Sequence, residues 1–100
     1  MKIPKNLKIG AQKIRVSFPK IVRSQDEEVL GISSASVGKI KIAKNYHGDP
    51  CPEDSLADTF LYEIIHIVNA NFGIELKENQ VAGVAGSLLM VIRDNGLDFR

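Results

Sequence analysis

The sequence predicts an α+β fold, in which a small, largely antiparallel β-sheet is followed by two helices. Apolar residues alternate with polar ones in residues 1–43, whereas after residue 54 they recur at helical spacing. The intervening residues 44–54 hold one glycine, two prolines and several turn-forming residues, which is typical of a connecting loop. A chain of 100 residues provides one hydrophobic core, so we expect a single domain over residues 1–100.

The first half predicts a strand pair and two further strands. Residues 6–18 alternate with period two and turn near Gly10, until a proline at position 19 ends the pair. We expect a loop over residues 20–27, a strand over residues 28–36, and another over residues 38–43. Isoleucines and lysines alternate in that last segment, which indicates one buried and one exposed face.

Helical periodicity predicts a first helix over residues 54–71, with Asp54 or Ser55 as the N-cap and Asn71 and Gly73 as the stop. We expect its apolar face to share one core with the strands and with the second helix. Ile64 is a predicted member of this core.

The second helix is predicted over residues 78–95, and an Asn-Gly pair caps its end. Two glycines inside it, Gly83 and Gly86, lie three residues apart and therefore roughly on one side. Missing side chains there let another element approach closely. The apolar series assigned to the core consists of Val81, Val84, Ala85, Leu88, Val91 and Ile92.

Composition excludes several classes of protein. Hydrophobic residues make up 44% and charged residues 25%, which is typical of a globular chain rather than a disordered or fibrous one. The longest uncharged apolar run, residues 81–92, has 12 residues, whereas a membrane helix needs about 20. Cys51 has no partner for an internal disulfide. We therefore expect a cytoplasmic protein that does not enter a membrane.

Charge differs between the two halves of the chain. Residues 1–50 carry ten basic and four acidic side chains, while residues 51–100 carry three and eight. A basic sheet face is a candidate nucleic-acid surface, and its members are Lys8, Lys13, Arg15, Lys39 and Lys41. Only six aromatic residues exist, and Phe18 falls on the apolar side of its strand. A base-stacking platform is not visible, so nucleic-acid binding is a less favoured function.

A polar stripe on the first helix brings three chemically useful side chains together. Tyr62 and His66 lie four residues apart and Glu63 and His66 three apart, so all three project from neighbouring positions. The spacing alone also suits a solvent-facing surface on which Glu63 and His66 form an ordinary pair.

Residues 59–66, TFLYEIIH, resemble the T-x-x-H-E-x-x-H active-site helix of zinc metallopeptidases, with Tyr62 where the first histidine belongs. Three further segments are similar in order and spacing to short phage and prophage proteins of the minimal zincin type. They are PKNLKIGAQKIRVSFP, VLGISSASVGKIKIA and KENQVAGVAGSLLMVIRDNG. The resemblance covers nearly the whole chain, and it implies a sheet, an active-site helix and a backing helix in one small domain.

The resemblance implies roles for particular residues. In that family two histidines and a glutamate of the next helix bind zinc, and the motif glutamate is the general base. Glu63 then matches the base, His66 the second ligand and Glu78 the third, with Glu75 as the third ligand in a different register. Tyr62 is a doubtful ligand, because it must first lose a proton whose usual pKa is about 10. We therefore expect zinc to be absent or weakly bound.

Several functions remain open from the sequence. The favoured one is a degenerate, metallopeptidase-like domain that has lost hydrolysis and binds a peptide or protein. An active zinc metallohydrolase would complete its metal shell with Tyr62, His47 or water, and Cys51 is also chemically suitable. The sequence is also compatible with a nucleic-acid-binding module and with a purely structural or assembly protein. For the favoured function, we expect Tyr62, Glu63, His66 and Glu78 to meet in one cleft between the helices and the sheet.

Overall fold

The computed structural model describes residues 2–97 of the chain, and in that range eight strands are followed by two helices. The strands are β1 (Asn6–Ile9), β2 (Gln12–Ser17), β3 (Val22–Ser24), β4 (Glu27–Val29), β5 (Gly31–Ser34), β6 (Lys39–Ile42), β7 (Asn45–Tyr46) and β8 (Asp49–Pro50). The helices are α1 (Glu53–Phe72) and α2 (Glu78–Asp94). The predicted α+β class is confirmed. Neither helix of this range is long and apolar enough to cross a membrane.

Four strands form the main sheet in the order β1-β2-β6-β5. The pairs β1/β2 and β5/β6 are antiparallel, whereas β6 lies parallel to β2, with Val16 beside Ile40. This parallel pair arises because β6 returns from β5 and inserts next to β2. The sheet is therefore largely antiparallel, as predicted, and β5 is one of its edge strands.

The core lies between the main sheet and α1. Alternation along β2 and β6 turns isoleucine and valine inward and basic residues outward. The buried cluster consists of Ile9, Ile14, Val16, Ile40, Ile42, Phe60 and Ile67. The five basic residues of the predicted sheet face are all exposed. The expected division of the sheet into an apolar and a basic face is thus present.

The predicted burial of the apolar face of α2 is confirmed only in part: Val81 and Ala85 are buried, but α2 contributes no residue to the cluster between the sheet and α1. α2 packs mainly on α1 rather than on the sheet, and it buries Val81, Ala85 and Leu89. Val84 and Leu88, which periodicity assigned to the core, are exposed. A single neighbouring helix covers only one side of α2, so part of its wide apolar face is left open. Ile64 of α1 is likewise only partly buried, at the margin of the cluster.

Short strands occupy segments that the sequence assigned to loops. Residues 20–27 were predicted as loop, but β3 and β4 pair there around two left-handed residues, Gln25 and Asp26. This hairpin also ends the strand predicted for residues 28–36, which is split at Leu30 into β4 and β5. Residues 44–54 contain the small β7/β8 hairpin. Strands of two or three residues are too short to show a period of two.

The ends of the helices differ slightly from the prediction. α1 begins one residue early, with Pro52 as N-cap in place of Asp54 or Ser55. Two acidic residues in its first turn stabilise this end through the helix dipole. The predicted stop at Gly73 is present, because this residue adopts a left-handed conformation and donates its backbone N–H to the Asn69 carbonyl oxygen. α2 ends at Asp94, one residue before its predicted end, and Asn95 is its C-cap.

Candidate functional site

A cleft of about 750 Å³ opens between α1, the first turns of α2, the edge strand β5 and the β3/β4 hairpin. Tyr62, Glu63, His66 and Glu78 all line this cleft. The structure therefore brings together the four side chains that the sequence singled out. Three of them come from one stripe of α1, and the fourth comes from the start of α2.

Tyr62 and His66 lie one helical turn apart and pack their rings against each other. The ring centroids are 4.7 Å apart, and the planes meet at 79°, which is an edge-to-face arrangement. This contact fixes the His66 ring relative to α1. Tyr62 therefore supports His66 through packing.

Glu63 is the buried acidic group of the site, with only 4% of its surface exposed. α1 lies close to β5 at this point because Gly31 has no side chain. A Cβ atom there would lie 2.5 Å from Thr59 Cγ2 and 3.3 Å from Glu63 Oε2. Burial raises the pKa of Glu63 above its usual value, while a hydrogen bond with Ser33 and the nearby charge of His66 act in the opposite direction.

His66 and Glu78 contact each other across the helix junction, with 3.3 Å between His66 Nε2 and Glu78 Oε1. Asn69 holds the connecting loop that sets this geometry. Its Oδ1 accepts a hydrogen bond from the Leu76 N–H at 2.8 Å, and its Nδ2 donates to the Leu76 carbonyl oxygen at 3.1 Å. Glu75, the third-ligand candidate in the different register, does not line the cleft.

The two candidate replacement ligands in the loop before α1 lie elsewhere. His47 is exposed on the β7/β8 turn, where its Nδ1 lies 3.0 Å from Glu28 Oε2. Cys51 is partly buried, and neither residue lines the cleft. The structure thus does not bring His47 or Cys51 to His66.

The donor set of the cleft does not fit a tightly held zinc ion. His66 and Glu78 are two potential ligand residues, whereas protein zinc sites use three or four protein ligands. Across residues 2–97, no group of three or more His, Cys, Asp and Glu side chains is arranged to hold a metal. The phenol of Tyr62 would need to ionise before it could supply the missing ligand.

The cleft carries a strong excess of negative groups. Its lining contains five carboxylates and one imidazole, and no lysine or arginine. The carboxylates belong to Glu27, Glu28, Asp58, Glu63 and Glu78. A low-dielectric cleft lined by charges of one sign concentrates ligands of the opposite sign. This site therefore favours a cationic ligand.

Sequence reasoning missed the roles of Gly31, Ser33 and Asn69. Ser33 reads from the sequence as strand polarity, since nothing there places it opposite Glu63. Gly31 shows its role only when α1 is seen to lie on β5. Asn69 belongs to the polar stripe of the first helix, but its hydrogen bonds to Leu76 depend on the path of the loop.

The burial of Glu63 predicts a specific pH dependence for Glu63→Gln. Because its pKa is raised in the folded state, the wild-type carboxyl contributes its full stability below pH about 4.5 and loses it as the pH rises through the folded pKa. The neutral amide has no such loss. We therefore expect Glu63→Gln to gain stability relative to the wild type as the pH rises above about 4.5. Urea unfolding at several pH values measures this.

The exposed pair of Asp54 with Arg93 provides the matched control, since Asp54→Asn also removes one carboxylate from α1. Asp54 is exposed, so Asp54→Asn should not reproduce the stability gain that desolvation predicts for Glu63→Gln. A Glu63→Gln difference that does not change with pH would contradict the desolvated state of Glu63.

Comparisons of the chain with protein-family models, with curated proteins and with solved structures find no match. The resemblance to minimal zincins thus rests on the residues of this sequence. What the cleft does must be inferred from its geometry and its charge.

Proposed function

We propose that this protein is a degenerate, metallopeptidase-like domain of phage or prophage type, which binds an extended basic peptide in the cleft without hydrolysing it. The observation that carries the proposal is the position of β5. This edge strand forms one wall of a cleft whose lining is acidic.

Strand addition supplies the affinity in this proposal. Within residues 2–97, no strand pairs with the outer edge of β5 in the main sheet. An extended peptide can pair with such an edge through backbone hydrogen bonds, while alternate side chains enter pockets beside the strand. Leu30, Gly31, Ile32 and Ser33 all line the cleft, so a paired peptide would lie beside the acidic groups.

Charge supplies the selectivity. Five carboxylates line the space that the peptide would occupy, against one imidazole and no lysine or arginine. His66 contacts Glu78 and His47 contacts Glu28, while Glu27 and Asp58 remain exposed for a cationic peptide. Lysine or arginine side chains, or a free amino terminus, would complement them. An acidic peptide would meet repulsion in the same position.

The loss of hydrolysis follows from the donor set. Glu63 stands where a general base belongs, but only His66 and Glu78 remain as matching ligand positions. Without a third ligand the cleft lacks a firmly held metal to activate water. The proposal therefore keeps the cleft and its acidic groups for binding alone.

Fluorescence anisotropy with labelled hexapeptides tests this function. An alternating Lys-Val hexapeptide should bind at least about tenfold more tightly than its Glu-Val counterpart, which corresponds to about 1.4 kcal/mol. N-methylation of alternate backbone amides of the Lys-Val peptide should abolish binding, because it removes the donors needed for strand pairing. Equal binding of the basic and acidic peptides would contradict the proposal.

Variants of single carboxylates test whether the peptide binds in the cleft. Asp58→Asn and Glu78→Gln should weaken binding of the Lys-Val peptide several-fold, since both carboxylates line the cleft. Glu53→Gln removes an exposed carboxylate of α1 outside the cleft and should leave binding unchanged. An equal loss in all three variants would indicate unspecific attraction by net charge.

The burial of Glu63 beside His66 favours an active zinc metallohydrolase as the second candidate. Incubation of the same peptides with protein and added zinc, followed by mass spectrometry, separates the two candidates. Intact peptide is expected from the degenerate domain. Cleavage that is lost in Glu63→Gln would establish hydrolysis instead.

A further inference from the structure

An apolar groove of about 540 Å³ runs along the side of α2 that α1 does not cover. Its lining contains no charged side chain and consists of Leu76, Gln80, Gly83, Val84, Ser87, Leu88 and Val91. Val84, Leu88 and Val91 are 41%, 44% and 49% exposed. Three large aliphatic side chains on one face of one helix form the kind of patch that marks an interaction surface.

We propose that a second copy of this chain covers the groove, through an antiparallel α2/α2 contact around a two-fold axis that passes between Ala85 and Gly86. The inference does not depend on the function proposed for the cleft. Glu78 and Ala82, which line the cleft, are not part of the groove.

The pattern of the groove is complementary to itself under this symmetry. In an antiparallel pair centred midway between Ala85 and Gly86, Gly83 lies at the same height along the helix axis as Leu88 of the second copy. Val84 likewise lies level with Ser87 of the second copy. Each of these levels sets a large side chain beside a small one, so the two helices can interdigitate. Gln80 lies level with Val91 of the second copy in the same way. Each of the six groove residues in α2 therefore has a counterpart in the second copy.

The space above Gly83 fits this arrangement. A Cβ atom added to Gly83 would meet no heavy atom within 4 Å, so the groove is open there. Gly86 is not part of the groove, and a Cβ atom added there would lie 4.0 Å from Asp58 Oδ1. Of the two glycines expected to admit a close neighbour, Gly83 lies in the groove and can receive Leu88 of the second copy.

Charges at the ends of α2 favour the antiparallel direction. The same two-fold axis brings Lys77 at the N-cap level with Asp94 in the last turn of the second copy. Both residues are exposed, and Asp94 accepts a hydrogen bond from its neighbour Arg93 at 3.0 Å. A parallel pair would bring each charge level with its own copy. An antiparallel pair therefore places one Lys77–Asp94 pair at each end of the apolar contact, which a parallel pair does not.

The contact is small, and this sets its strength. Standard stable interfaces bury about 800 Å² and roughly 20–30 residues on each partner, whereas seven residues line this groove. We therefore expect a reversible dimer with a Kd in the micromolar range. Sedimentation equilibrium of the full chain, from low micromolar to submillimolar concentration, should show monomer and dimer in exchange. A chain that stays monomeric throughout would overturn the inference.

Gly83→Leu is the most discriminating variant. The added side chain has open space in the monomer, and leucine is a better helix former than glycine, so thermal stability at low concentration should be kept or raised. The same side chain would occupy the place of Leu88 of the second copy and raise the Kd at least about tenfold. A dimer that tolerates this variant would contradict the proposed packing.

Two charge variants test the same groove. Leu88→Glu should abolish the dimer, because it places a charge in the apolar centre. Met90→Glu is its matched control, since Met90 is an exposed apolar residue of α2 outside the groove, and it should dimerise like the wild type. Equal effects of both variants would place the interface elsewhere.

Disulfide formation tests the direction of the helices, in a Cys51→Ser background. Ser87→Cys lies near the two-fold axis and should cross-link readily between copies. Gln80→Cys should not, because its two copies would lie about 16 Å apart along an antiparallel pair. Preferential cross-linking of Gln80→Cys would establish a parallel pair and overturn the proposal.

Discussion

Tyr62→His is expected to raise the affinity of the cleft for zinc by orders of magnitude. The new imidazole would stand one helical turn before His66, on the stripe that already faces Glu78. Two imidazoles and one carboxylate form a three-ligand set that leaves a fourth position open, as in catalytic zinc sites. Neutral imidazole needs no ionisation at about pH 7, unlike the phenol it replaces. Calorimetric zinc titration of the wild type and the variant measures the gain.

Two further variants decide which groups cause that gain. Tyr62→Phe removes the phenol without adding an imidazole, so its zinc affinity should equal that of the wild type. Glu78→Gln, combined with Tyr62→His, should lose most of the gain, because an amide is a poorer ligand than a carboxylate. A Tyr62→His protein without any gain would contradict the assignment of His66 and Glu78 as surviving ligand positions.

Ile67→Ala is expected to lower the free energy of unfolding by about 2–5 kcal/mol, through lost burial and the cavity left behind. Ile67 is 1% exposed and belongs to the cluster that joins α1 to the main sheet. Urea denaturation monitored by circular dichroism measures the loss. A cost below about 1 kcal/mol would contradict the burial of Ile67 in this cluster, because lost burial alone should exceed it.

Two less buried isoleucines provide a comparison for the stability cost of Ile67→Ala. Ile74 is 50% exposed, and Ile74→Ala should change stability by no more than about 0.5 kcal/mol. Ile64 packs at the margin of the cluster, so Ile64→Ala should cost less than Ile67→Ala. From the sequence alone, the full cost is expected at Ile64. An order of costs other than Ile67, Ile64, Ile74 would contradict the described core.

The longer strands and the helices could be predicted because the spacing of their apolar residues reflects which face is buried. β6 alternates isoleucine and lysine, and α1 repeats its apolar residues at helical spacing over its whole length. The period of α2 was also clear, yet it could not reveal which part of the apolar face is covered. That depends on what packs against the helix, and α1 reaches only the side of Val81 and Ala85.

In the cleft, too, the sequence did not show which elements pack against particular residues. Tyr62, Glu63 and His66 could be grouped from their spacing on one helix, and the resemblance to zincins added Glu78. The burial of Glu63 could not be foreseen, because it depends on the close approach of α1 to Gly31 of β5. Contacts between elements distant in the chain set the electrostatics of this cleft, and spacing within one helix carries no information about them.

The zinc content of the wild-type protein, purified without chelator and dialysed against zinc-free buffer, tests the proposed loss of metal binding most directly. Elemental analysis should find far less than one zinc per chain, because His66 and Glu78 alone do not form a tight site. One zinc per chain that survives dialysis, and that is lost in both His66→Ala and Glu78→Gln, would contradict the loss of metal binding and would favour an active metallohydrolase.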